Sequence, residues 1–118
     1  RASLDRYYQQ GPPADWEQRY ISAYASSHPL EDWAETWSHY LLMHDALETA
    51  HAHRLIDTPP SSSALVERIS QWQAVSVGLN EMNQSVGRDD AYPFVISAQV
   101  HNKLEYVDAM ISRLRTLQ

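Results

Sequence analysis

A chain of 118 residues is expected to form one domain around one core, and 43% hydrophobic with 10% aromatic content excludes a disordered chain. The absence of cysteine excludes disulfides and thiolate metal sites, which leaves histidine and carboxylate as ligand types. The net charge of −6 comes without a basic stripe, which argues against nucleic-acid binding, and no run approaches the ~18 apolar residues of a membrane span.

Residues 2–10, ASLDRYYQQ, read as the last turns of a helix stopped by Gly11-Pro12-Pro13, because proline removes a donor and restricts the residue before it. A second helix is expected from Ala14 to about Ala25, with Trp16, Tyr20, Ile21 and Tyr24 on one face. Ser26-Ser27-His28-Pro29 resets the chain, with proline placed for a first helical position.

The long central helix then runs to about Leu55. Leu30, Trp33, Trp37, Tyr40 or Leu41, His44, Leu47, His51 and Leu55 recur at three- and four-residue steps as its expected packed stripe. Glu31, Glu35, Ser38 or His39, and Leu42 form the neighbouring stripe. Thr58 to Ser63 is a loop. Ala64 to Val86 is a third full helix, with Leu65, Ile69, Trp72, Val75, Leu79, Met82 and Val86 inward and Gly87 as terminator. Residues 88–96 form an ordered loop. Ser97 caps a last helix, whose core face is Val100, Leu104, Val107, Ile111 and Leu114. No strand pattern competes, so the expected fold is all-α, a bundle of about four to five helices spanning 1–118.

Residues 14 to 57 hold eight acids against Arg19 and Arg54, a bias that suits a cation as readily as a solvated face. Glu31 and Glu35 stand one helical turn apart on one face, a register in which two like charges repel unless a cation or proton lies beside them. The first turn also favours the carboxylate of Glu31 through the helix dipole. An N-terminal acid and a surface glutamate account for the same spacing. Among the histidines, Glu48-x-x-His51 is half of a di-iron motif and reads more simply as a surface pair. His44 reads as a core histidine and His101 as exposed.

The stretch YISAYASSHPLEDWAETWSHYLLMHDALETA resembles a bacterial zinc-binding metallopeptidase family whose members share the HPxEDWAETW block. The later segments LNEMNQSVGRDDAYPFVIS and VHNKLEYVDAMI resemble its C-terminal end, so the likeness runs from about Tyr7 to Leu114. In that gluzincin-like family an H-E-x-x-H helix supplies two histidine ligands and the general base, and a glutamate on a following helix completes the site.

The resemblance implies Glu31 as the zinc ligand and Glu35 as a carboxylate that orients a ligand histidine, with the reverse assignment left open. It implies Tyr24 as a hydroxyl for the substrate carbonyl, with core packing as the alternative. His28 and His39 are placed beside the site, or as a helix cap and a plain helix residue. This sequence departs from the pattern at one point: it contains no H-E-x-x-H, and His51 and His53 have the wrong spacing.

A chain starting at Arg1, on residues that read as a helix under way, is expected to be part of a longer protein. The missing motif then lies upstream, and the upstream portion and a peptide or protein substrate are the expected partners. The chain alone is expected to be inactive and to expose apolar surface that could drive self-association. The cytoplasm is the expected location, with which the absence of cysteine is compatible. Two other readings stand beside this one: a non-catalytic helical interaction module that keeps the scaffold, and a metal carrier using the His51–His53 stretch.

Overall fold

A computed structural model describes residues 2–117. The helices are α1 (Ala2–Gln10), α2 (Trp16–Arg19), α3 (Pro29–Ala52), α4 (Leu65–Ser85) and α5 (Ala98–Thr116), with short 3-10 turns at Tyr24–Ser27 and Pro60–Ser62. The described residues contain no strand, and the class is all-α. No helix among them is long and apolar enough to cross a membrane. The chain divides into two compact units, residues 1–40 with 94–118 and residues 41–93, so α3 contributes its first half to one and its second half to the other.

The first unit is built by α5 against the segments that precede α3. Ser97 caps α5 by accepting from the Val100 amide at 3.2 Å, and its hydroxyl donates to the Gln18 carbonyl at 2.7 Å. Lys103, one turn on, donates to the Arg19 carbonyl at 2.6 Å and lies over the Tyr20 ring. These bonds satisfy carbonyls at the end of α2, which is only one turn long. Ile21, Ala25, Tyr40, Val100, Leu104 and Val107 are its buried apolar side chains.

The expected helix from Ala14 to Ala25 breaks into α2, a link of bends and a turn that begins at Tyr20, and the 3-10 turn. Its apolar spacing suits a helix, but Tyr20 adopts an extended backbone (φ −133°, ψ 150°). Further on, the Ser22 and Ser26 hydroxyls bond to backbone groups of residues 25 and 23, a local alternative to the helical ladder.

In the second unit, Trp72 and Tyr92 meet edge to face at 4.8 Å between centroids. The Asn80 side-chain amide donates to the Tyr92 carbonyl and accepts from its N–H, both at 2.9 Å, which pins the 88–96 loop to α4. Gly87 ends α4 with φ +77°, as expected of a glycine terminator.

Both long helices bury only part of the expected face: Tyr40 and Leu47 of α3 and Leu65, Ile69 and Trp72 of α4 are inward as expected, and other positions differ. In α3 the buried positions are Thr36, His39, Tyr40, Met43, Leu47 and Ala50, whereas Leu30 is 70% exposed and Trp33 45%. In α4, Arg68 and Ser76 are buried with Leu65, Ile69 and Trp72, whereas Met82 and Val86 are exposed. Apolar residues lie on several faces of both helices, so side-chain size does not select the inward one. Polar groups with local partners are tolerated inside: the Thr36 hydroxyl donates to the Asp32 carbonyl, and Arg68 Nε donates to the Ser63 carbonyl.

Candidate metal-binding site

His28 opens α3. Its Nδ1 accepts from the Leu30 amide at 3.0 Å, and Pro29 follows at the first helical position, where a missing N–H has no cost. His28 thus acts as a helix cap through Nδ1. This start places Glu31 and Asp32 in the first turn, where the unpaired amides favour negative charge.

The two acids have different neighbours. Asp32 Oδ2 accepts from Lys103 Nζ at 2.8 Å, so its charge is matched within the first unit. Among the described residues no lysine or arginine pairs with Glu31. Its company is a hydroxyl: the Glu31 carboxylate is the largest cause raising the Tyr24 pKa above the ordinary tyrosine value, followed by partial desolvation and the Tyr8 hydroxyl. A negative neighbour holds the proton on the phenol, so Tyr24 remains a hydrogen-bond donor.

Tyr24 is held by α1. The Tyr7 ring lies edge-on to both Tyr24 and Tyr8, with centroids at 6.1 and 5.6 Å. Tyr24 is 38% exposed, its ring packed on Tyr7.

One turn beyond Glu31, Glu35 Oε1 accepts from the Ser22 hydroxyl at 3.1 Å. His39, one further turn along, is buried and edge-on to Phe94 at 4.7 Å. Burial lowers the His39 pKa, and the nearby Glu35 charge partly opposes that shift. Glu31 with Tyr24, and Glu35 with Ser22 and His39, thus form two adjacent levels on one end of α3. Sequence reading missed Ser22 and Tyr8. No pattern in the residues around Ser22 singled it out.

Two other histidines have local carboxylate partners. His44 pairs with Glu48 at 2.5 Å, in place of the expected Glu48–His51 pair, and His101 pairs with Glu105 at 3.3 Å. An apolar groove of about 620 Å³ is lined by second-unit residues alone, and its one histidine is His53.

Zinc sites take about three protein ligands. Among the described residues no three His, Asp or Glu side chains come together to hold a metal ion. The residues present therefore fit a single carboxylate donor with its supports, and not a complete site.

Uncharacterized proteins of Mycobacterium tuberculosis and Mycobacterium bovis are 40% identical to this chain over 119 residues, covering 95% of it. The chain spans 35% of the length of these curated relatives. No solved structure matches. Residues 1–110 match the family described as "putative zinc-binding metallo-peptidase", and the chain belongs to that family.

Proposed function

We propose that this chain supplies one carboxylate ligand, Glu31, to a zinc-dependent peptide-hydrolysing site whose histidine ligands and general base come from an H-E-x-x-H segment outside it. The observation that carries the reading is the contrast within the acidic pair. Asp32 is neutralised by Lys103, while Glu31 has the Tyr24 hydroxyl as its neighbour and no basic partner among the described residues. A carboxylate without a cationic partner, favoured by a helix N-terminus, suits a divalent ion.

Bound zinc would supply Lewis acidity toward a peptide carbonyl. The chain's own residues do the rest of their work through position. Tyr24, kept protonated beside Glu31, donates a hydrogen bond to the substrate carbonyl oxygen. Glu35 accepts from the ring N–H of a ligand histidine and fixes its tautomer.

The test is Glu31→Gln in the full-length protein. The variant keeps its helical circular dichroism and loses bound zinc, measured by elemental analysis after dialysis. Full zinc occupancy in the variant would remove Glu31 from the ligand set. Reading the parent sequence for H-E-x-x-H upstream of Glu31 separates an enzyme from a scaffold that has lost its chemistry.

A further inference from the structure

We propose that Ser22 is a positioning residue for the Glu35 carboxylate and, through it, for the metal-facing end of α3. The proposal deepens the zinc-site reading above and rests on it.

Ser22 is 6% exposed, and its hydroxyl is engaged on both sides. Ser22 Oγ accepts from the Ala25 amide at 3.1 Å and donates to Glu35 Oε1 at 3.1 Å. A hydroxyl has one proton and two lone pairs. With the oxygen held by the Ala25 N–H, its proton is aimed at Glu35 and has little freedom to swing elsewhere.

The same atom therefore joins two parts of the candidate site. The Ala25 amide belongs to the 3-10 turn that carries Tyr24, and Glu35 stands one helical turn from Glu31. Donation to Oε1 also settles which oxygen of Glu35 faces the turn. Oε2 is left to accept from an imidazole N–H, the chemical group that a carboxylate beside a zinc site holds in place.

Glu35 would otherwise be a flexible side chain with three rotatable bonds on a partly exposed helix face. Orienting carboxylates act through the accuracy of their placement, so a fixed donor at Oε1 matters more than the modest strength of one neutral hydrogen bond. In this arrangement Ser22 itself contacts neither metal nor substrate, and its effect is transmitted through Glu35.

The experiment is a double-mutant cycle on the full-length protein with Ser22→Ala, Glu35→Gln and the pair. Zinc affinity is read by competition with a chromophoric chelator, and folding by the thermal midpoint of the metal-free protein. Ser22→Ala is expected to weaken zinc binding ~10-fold, at the lower end of the loss typical of residues that orient ligands. The double variant is expected to bind as Glu35→Gln alone does, since the serine has nothing left to position. Ser22→Thr, which keeps the hydroxyl, is expected to recover the affinity lost in Ser22→Ala. If the extra methyl group lowers its thermal midpoint, the cycle still decides.

Two results overturn Ser22 alone: affinity that falls in Glu35→Gln but not in Ser22→Ala, or losses that add in full in the double variant. Affinity unmoved by Glu35→Gln removes Glu35 from the site and overturns this proposal while leaving Glu31 untouched; no zinc binding by the unaltered protein overturns the zinc-site reading as well.

Discussion

Tyr24 and His39 show how one helix end sets the protonation of two neighbours in different ways. The negative charge of Glu31 raises the Tyr24 pKa and keeps its hydroxyl a donor. Tyr24→Phe in the full-length protein is therefore expected to retain zinc and to lose about 10²-fold in kcat, the usual cost of removing one donor to a developing oxyanion. Steady-state kinetics beside a zinc assay check this; unchanged kcat would leave Tyr24 with a packing role only. His39 is governed by burial, which lowers its pKa below the usual histidine value against the pull of Glu35. The folded state thus prefers the neutral ring, and its contribution to stability is complete above the unfolded pKa of about 6.5. It is lost as the pH falls from there through the lower folded pKa. Thermal melts across that range should show the loss, His39→Leu should remove it, and Glu35→Gln should steepen it.

The helices show which features were legible in the sequence. Caps and stops act locally, so His28-Pro29, Ser97 and Gly87 could be placed from residue type alone. Facing depends on what lies opposite, and there the pattern of large apolar residues misled. Trp33 lies at the surface, edge-on to Trp37 and Tyr106 at 5.7 and 5.8 Å, while the smaller Thr36 is buried. Trp72, expected inward, is buried to 2% exposure. Trp72→Ala is accordingly expected to cost about 3–5 kcal/mol, the usual range for a buried aromatic. Trp33→Ala is expected to cost about 1 kcal/mol, on the scale of a surface aromatic pair. Denaturant unfolding of the two variants distinguishes them; equal losses would contradict this difference in burial. The site was legible to a similar depth. The EDWAE block marked Glu31 and Glu35 through family resemblance, but the hydroxyl that binds Glu35 and the phenol beside Glu31 come from Ser22 and Tyr24, on a segment whose pattern reads as a helix and folds as a turn.

At the level of the whole molecule, the number of ligands decides what the chain can do. No three His, Asp or Glu side chains come together among the described residues. One carboxylate in water holds zinc weakly, because each ligand's attraction must offset the ion's own hydration. This 118-residue chain by itself is therefore expected to bind zinc no more tightly than an ordinary acidic surface, and to be silent toward peptide substrates. Isothermal titration with zinc salt checks the first, and should give the same weak isotherm when His51 and His53 are both changed to alanine. A tight one-to-one isotherm lost on that double change would instead support a metal carrier built on the His51–His53 stretch. Tight binding that survives it but disappears with Glu31→Gln would mean that the chain assembles more of the site than one ligand. Where the proposed upstream histidines complete the set, the same Glu31 change removes a single donor and should release the metal. The contrast between a small effect in the short chain and a large one in the long chain is the signature of a ligand that works only in company.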